Sequence, residues 1–136
     1  MLSLWKSKTE LSQRKILLVD DEPQYLSTIQ RRLEDSDFMV ITAANGEEGF
    51  EQVAREKPDL IVLDVNMPIM NGHEMLRRLR ADPNLKDVPV IMCTGCSEMQ
   101  DIAAAASYNI ADYVTKPFNC SELAEKIMNV LEDQGK

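Results

Sequence analysis

A chain of 136 residues, with hydrophobic residues at 44% and charged residues at 28%, fits one soluble globular domain with room for a proper core. Its formal charge of −8 argues against direct binding of nucleic acid, which calls for a basic footprint. No apolar run approaches the roughly 20 residues of a membrane helix, and residues 1–15 lack the apolar stretch of a signal peptide; a cytoplasmic protein without membrane insertion is the expectation.

In chain order, residues 1–14 come first, as a basic N-terminal extension. Lys6, Lys8 and Arg14, continued by Lys15, stand against the single acid Glu10, with Leu2, Leu4 and Trp5 as an apolar side. Such a segment reads as a tail or short helix lying on the domain, with a docking arm as the alternative. The folded domain is expected over residues 15–133.

From there two periodicities alternate. Ile16–Val19, Val40–Ala43, Leu60–Leu63, Val90–Cys93 and Asp112–Thr115 are short apolar or β-branched runs, the pattern of strands buried on both faces. Between and after them stand helical stripes: Leu26, Ile29 and Leu33; Phe50, Val53 and Ala54; Met75, Leu76 and Leu79; Ile102 with Ala103–Ala106; and Leu123, Ile127, Val130 and Leu131. Asn45, Asn71 and Asn119 each precede an acid by three residues (Glu48, Glu74 and Glu122), the spacing of a capping box. The order βαβαβαβαβα implies a parallel sheet between two helical layers, joined by right-handed crossovers.

The first strand runs into acid: KILLVDDEP puts Asp20, Asp21 and Glu22 directly after buried aliphatics. Adjacent like charges repel, and such a cluster is stable when a cation sits between the carboxylates. In doubly wound sheets ligands bind at the carboxyl ends of the strands, where strand order reverses. Asp20 and Asp21 end the first strand, Asp64 the third and Thr94 the fourth, while Lys116 follows the fifth, so all should meet at one edge. Asp21 and Asp64 offer hard oxygen ligands suited to Mg2+. Lys116 is a compact charge for a phosphoryl oxygen, and Thr94 can donate a hydrogen bond to another. A carboxylate beside Mg2+ is a competent nucleophile toward phosphorus, which makes Asp64 the candidate for an aspartyl phosphate.

Taken together, VDDEP, DVNMPIMNGHEML, CTG and DYVTKPF resemble the receiver domain of bacterial two-component response regulators, over about residues 15–132. The resemblance implies a flavodoxin-like (βα)5 α/β fold, a three-layer sandwich with strand order 2-1-3-4-5. It implies Mg2+-dependent transfer of a phosphoryl group from a sensor histidine kinase or histidine phosphotransfer protein to Asp64. It further implies metal ligation by Asp21, Asp64 and the backbone carbonyl of Asn66, with Asp20 acting through water. Thr94 and Tyr113 match the family's switch pair, in which the hydroxyl moves onto the phosphoryl group and the ring turns inward. The Lys116–Pro117 bond is expected to be cis. A phosphoprotein of this kind is no enzyme beyond its own phosphorylation and dephosphorylation, and it passes its signal to a downstream protein target, as a monomer or weak dimer.

Some residues depart from the pattern. Asn109 and Ile110 stand where receivers commonly carry Gly-Ala, a mild change because Asn tolerates a left-handed helix end. Glu98–Tyr108 contains no Lys or Arg, which speaks against a dimer built on charged pairs there. Cys93 and Cys96 form a C-x-x-C, but Cys93 completes a core strand and reads as a small buried hydrophobe. His73 reads as a solvated helix residue, and Met67 and Met70 as loop fillers. Three cysteines without a signal peptide read as reduced thiols. The rival readings are a receiver fragment of a longer DNA-binding or enzymatic regulator, and a Mg2+-dependent aspartyl-phosphate phosphatase. The phosphatase needs a second acid two residues after its nucleophile, where Asn66 offers only an amide.

Overall fold

The structure, a computed structural model, describes residues 14–65, 67, 69–95, 107–116 and 119–134. Strands and helices follow as β1 (Lys15–Val19), α1 (Pro23–Asp35), β2 (Met39–Ala43), α2 (Gly46–Glu56), β3 (Leu60–Asp64), α3 (Gly72–Ala81), β4 (Val90–Gly95), β5 (Asp112–Lys116) and α4 (Cys120–Gln134). The five strands form one sheet in the order β2-β1-β3-β4-β5, with every neighbouring pair parallel. This is the expected flavodoxin-like α/β order. The helix expected around Ile102 lies outside the described residues, as do Asn66, Cys96, Pro117 and the extension before Arg14.

Alternation along each strand sends side chains to two separate cores. Ile16, Leu18, Val62, Ile91, Cys93 and Val114 face Ile29 and Leu33 of α1 and Leu123, Ile127 and Leu131 of α4. Leu17, Val19, Ile61, Leu63, Val90 and Met92 face Val53 of α2 and Met75, Leu76 and Leu79 of α3. Burial on both faces holds for β1, β3 and β4 apart from their ends. It fails for β2 and β5, the two edge strands of the sheet: Met39 is 55% exposed and Tyr113 37%.

Asn45, Asn71 and Asn119 cap as their spacing predicts. Their side-chain oxygens accept from the backbone N–H of Glu48, Glu74 and Glu122 at 2.9, 2.9 and 2.6 Å. Asn109 takes the left-handed conformation anticipated for it, at φ 59°. Nearby, the Arg80 guanidinium of α3 donates to the carbonyls of Tyr108 (2.7 Å), Lys86 (2.8 Å), Val88 (2.8 Å) and Asn109 (3.3 Å), tying α3 to the loops that flank β4. Among the described residues no helix is long and apolar enough to cross a membrane.

Candidate functional site

Strand order reverses between β1 and β3: one connection from this pair runs outward to β2, the other to β4 and β5. Val19 pairs with Leu63 in register, so Asp20 and Asp64 leave adjacent strands at the same level. Thr94 pairs with Thr115, and Gly95 with Lys116, which brings the ends of β4 and β5 to the same edge. Asp20, Asp21 and Asp64 thus converge, with a carboxylate oxygen from each lying within 4.8 Å of the others. Asp20 and Asp64 are each only 5% exposed, whereas Asp21 faces solvent.

Lys116 closes the cluster. Its ammonium lies 2.9 Å from Asp20 Oδ2, 3.3 Å from Asp64 Oδ1 and 3.9 Å from Glu22 Oε1. The other oxygen of Asp20 accepts from the Glu22 backbone N–H at 3.0 Å, which fixes the turn from β1 into α1. Among the described residues the acids therefore find relief within the chain itself, in the Lys116 ammonium and the Glu22 backbone N–H. That relief is incomplete. Burial first, then the charge on Asp20, outweigh Lys116 and push the Asp64 pKa up from 3.8 to about 6. Burial by itself would lower the pKa of Lys116, but its hydrogen bond to Asp20 and the charge on Asp64 reverse this and hold it firmly protonated.

The loop after Asp64 is held by close backbone approach. A Cβ on Gly72 would stand 2.4 Å from the Asp64 carbonyl oxygen, and one on Gly46 2.4 Å from the Met70 carbonyl. Only glycine allows α3 to start against the end of β3. Met67 and Met70 are buried fillers as expected, at 9% and 7% exposure. Ile69 between them takes φ 70°, an unusual conformation for a β-branched residue.

Thr94 is fully buried, and its hydroxyl donates to the Gly95 carbonyl in a long 3.4 Å contact. Tyr113 stands apart from the acids, opposite Met92 in the β4–β5 register and partly exposed. The carbonyl of Asn66, anticipated as a metal ligand, lies outside the described residues. Cys93 is buried and its thiol is pushed up by desolvation, which fits a core residue and not a redox centre. His73 is half-buried on α3, less solvated than its sequence suggested, because α3 turns that position toward the protein. Glu22, part of the acid run, thus also meets Lys116, while one neighbour escaped the sequence reading: Tyr25, whose ring centroid lies 4.6 Å from the ammonium. Pro23 at the start of α1 was the available signal, since it places Tyr25 in the first turn beside the strand ends.

Comparison with known proteins agrees with this geometry. The sequence profile of the "Response regulator receiver domain" matches residues 16–128. The transcriptional regulatory protein PrrA of Mycobacterium tuberculosis is 35% identical over 127 residues, covering 93% of this chain and 54% of PrrA. The chain thus spans about half the length of the curated relatives it matches. Among solved structures, the chemotaxis protein CheY4 of Vibrio cholerae superposes with a TM-score of 0.81 at 29% identity, covering 87% of this chain and 98% of CheY4. The receiver domain of the sensor histidine kinase PA1611 from Pseudomonas aeruginosa, described with a magnesium ion coordinated in its active-site cleft, gives a TM-score of 0.80 at 28% identity, covering 88% and 98%.

Proposed function

The chain belongs to the response regulator receiver family, whose members work in phosphorylation-based signalling, and from that premise we propose that Asp64 is the residue that takes up the phosphoryl group. The observation that carries this is the convergence of Asp20, Asp21 and Asp64 on Lys116 at the switch point of the sheet. Among these carboxylates Asp64 alone ends the central strand, with its oxygen against the ammonium.

The donor set fits a divalent cation. Among the described residues three carboxylates meet one ammonium, which leaves the site negative, and burial, then the charge on Asp20, raise the pKa of Asp64 despite Lys116. All three donors are hard oxygens, the choice for Mg2+ over a softer metal. Asp21 and Asp64 would ligate it, with Asp20 alongside and the Asn66 carbonyl as the expected backbone ligand. Bound there, Mg2+ would supply charge neutralisation for the phosphoryl oxygens.

The chain's own residues account for the rest. An Asp64 carboxylate oxygen forms the new O–P bond while the P–N bond to a phosphohistidine donor breaks. The electron pair stays on the imidazole, which departs neutral if its other ring nitrogen carries a proton. Lys116, already beside Asp64, holds one phosphoryl oxygen, and the Thr94 hydroxyl turns from the Gly95 carbonyl to donate to another. Tyr113 follows by moving inward, changing the surface around β5 that a downstream protein reads.

Receiver domains interact with histidine kinases, and here the donor is a sensor kinase or a phosphotransfer protein in the cytoplasm. The chain catalyses no reaction beyond its own phosphorylation and dephosphorylation. Its output runs through protein docking and not through contact of this domain with DNA, in keeping with the charge of −8. The test is incubation with Mg2+ and acetyl phosphate: one acid-labile phosphoryl group per chain is expected, and none on Asp64→Asn. Label on Asp64→Asn at the wild-type rate would overturn the assignment. Steady turnover of a generic phosphomonoester would instead support the phosphatase.

A further inference from the structure

Lys116 is held by more than carboxylates. Asp20 and Asp64 contact its ammonium at 2.9 and 3.3 Å, and the Tyr25 ring presents its face to the same nitrogen at 4.6 Å from the centroid. That ring is anchored, because Tyr25 packs on the apolar cluster between α1, α4 and the sheet. Burial, followed by the charge of Cys93, pushes its pKa up to about 12, so the phenol stays neutral under ordinary conditions. A competitor stands nearby: the exposed carboxylate of Glu22 is 3.9 Å from the ammonium. A lysine has a long stem with much rotamer freedom, and its charge follows whichever acid is nearest. A phosphoryl-transfer site, by contrast, works through charges placed before the reaction begins.

Resting on the reading of Asp64 as acceptor, we propose that Tyr25 is a positioning residue for phosphoryl transfer, whose ring face confines the Lys116 ammonium against Asp64 and keeps it from swinging out to Glu22. Tyr25 makes and breaks no bond. It acts through Lys116 by cation–π attraction and by filling the space into which the ammonium would otherwise move.

Initial rates of labelling by acetyl phosphate with Mg2+ test this on the full chain. Tyr25→Phe keeps the ring and should label within about twofold of wild type. Tyr25→Leu keeps apolar bulk without a π-face, and should lower the rate at saturating donor about fivefold while leaving the half-saturating donor concentration within about twofold. Adding Glu22→Gln to Tyr25→Leu should recover about half of that loss on a logarithmic scale, since the competing acid is gone. In the unaltered protein the Lys116 ε-methylene protons should be shifted upfield by the ring current.

A Tyr25→Leu variant that labels at the wild-type rate overturns the proposal, and so does a Tyr25→Phe variant as slow as Tyr25→Leu. Failure of Glu22→Gln to recover any rate overturns the swing toward Glu22. Unshifted ε-methylene resonances in the wild type overturn the clamp even if the leucine variant does not fold. Acceptor identity is decided separately: label on Asp64→Asn defeats that reading, while the ring-current shift still reports whether Tyr25 covers Lys116.

Discussion

Replacing Asp64 by Asn should stabilise the metal-free protein near neutral pH and do much less in mild acid. Asp64 is 5% exposed, and burial, then Asp20, push its pKa from 3.8 to about 6 despite Lys116. A folded pKa above the unfolded one means that the folded state holds the proton more tightly. The resulting stability is complete below about pH 3.8 and is lost as the pH rises through about 6. Above that window the folded chain carries an ionised carboxyl where it is disfavoured, which costs about 3 kcal/mol at roughly 1.4 kcal/mol per pH unit. At about pH 4.5 the folded carboxyl is mostly protonated and the unfolded one mostly ionised, so about 2 kcal/mol of the cost is relieved. Asn has nearly the same shape and no charge. The gain in unfolding free energy from Asp64→Asn should therefore be about 2 kcal/mol larger at about pH 7.5 than at about pH 4.5. Urea denaturation with a chelator present measures it, and the carboxylates away from the site cancel because both proteins carry them. Saturating Mg2+ at the higher pH should narrow the gap by stabilising the wild type more than the variant, which has lost a ligand. A gain equal at the two pH values, or larger in acid, would refute the reasoning.

The remaining expectations concern single contacts. Asp21→Asn should fold at least as stably as wild type without Mg2+ and lose the Mg2+-dependent rise in melting temperature; calorimetry showing the full rise would remove Asp21 from the ligands. Gly72→Ala should cost about 2 kcal/mol in urea denaturation, because its Cβ would meet the Asp64 carbonyl oxygen at 2.4 Å. Arg80→Ala should cost about 3 kcal/mol by leaving several backbone carbonyls without their charged donor, and Arg80→Lys should recover only part, since an ammonium cannot reproduce the fork. Beryllofluoride with Mg2+ should move the NMR signals of both Thr94 and Tyr113; a silent Tyr113 would mean that the switch does not reach β5.

How much of this was legible beforehand depended on whether a feature is written along the chain or across it. A continuous apolar run placed β1 at Ile16 and a period-3.6 stripe placed α3 around Met75, Leu76 and Leu79, because burial on both faces or on one is a local pattern. Asn45 and Asn71 announced their caps because donor and acceptor lie three residues apart. The convergence of Asp20, Asp64 and Lys116 was readable once the strands were ordered, since the sheet carries every carboxyl end to one edge. Edge exposure of β2 and β5 was not, because a run such as Met39–Ala43 does not record how many neighbours its strand will have. Nor was the Tyr25 ring over Lys116: Pro23 sets Tyr25 in the first turn of α1, but no spacing pairs that turn with the end of β5. The close approach of Gly72 to the Asp64 carbonyl was not legible either, since only the assembled loop shows the oxygen that excludes a side chain there.

The cost of an ionised Asp64 and the work asked of a receiver meet in magnitude. A site built only for stability would neutralise its acids, and here, among the described residues, one ammonium faces three carboxylates, two of them buried. The deficit held at Asp64, about 3 kcal/mol near neutral pH, is of the size of the coupling energies, about 1–3 kcal/mol, by which a ligand biases a two-state surface. On the proposed reading, a divalent cation would offset part of the deficit, and a phosphoryl group would add new negative charge for Lys116 and Thr94 to meet. Thr94 is buried, so its movement would have to displace a neighbour, and β5, the edge strand, is paired with it through Thr115. On this account the acids beside Lys116 are kept at a loss in stability because the loss is what makes the fold sensitive to charge at Asp64.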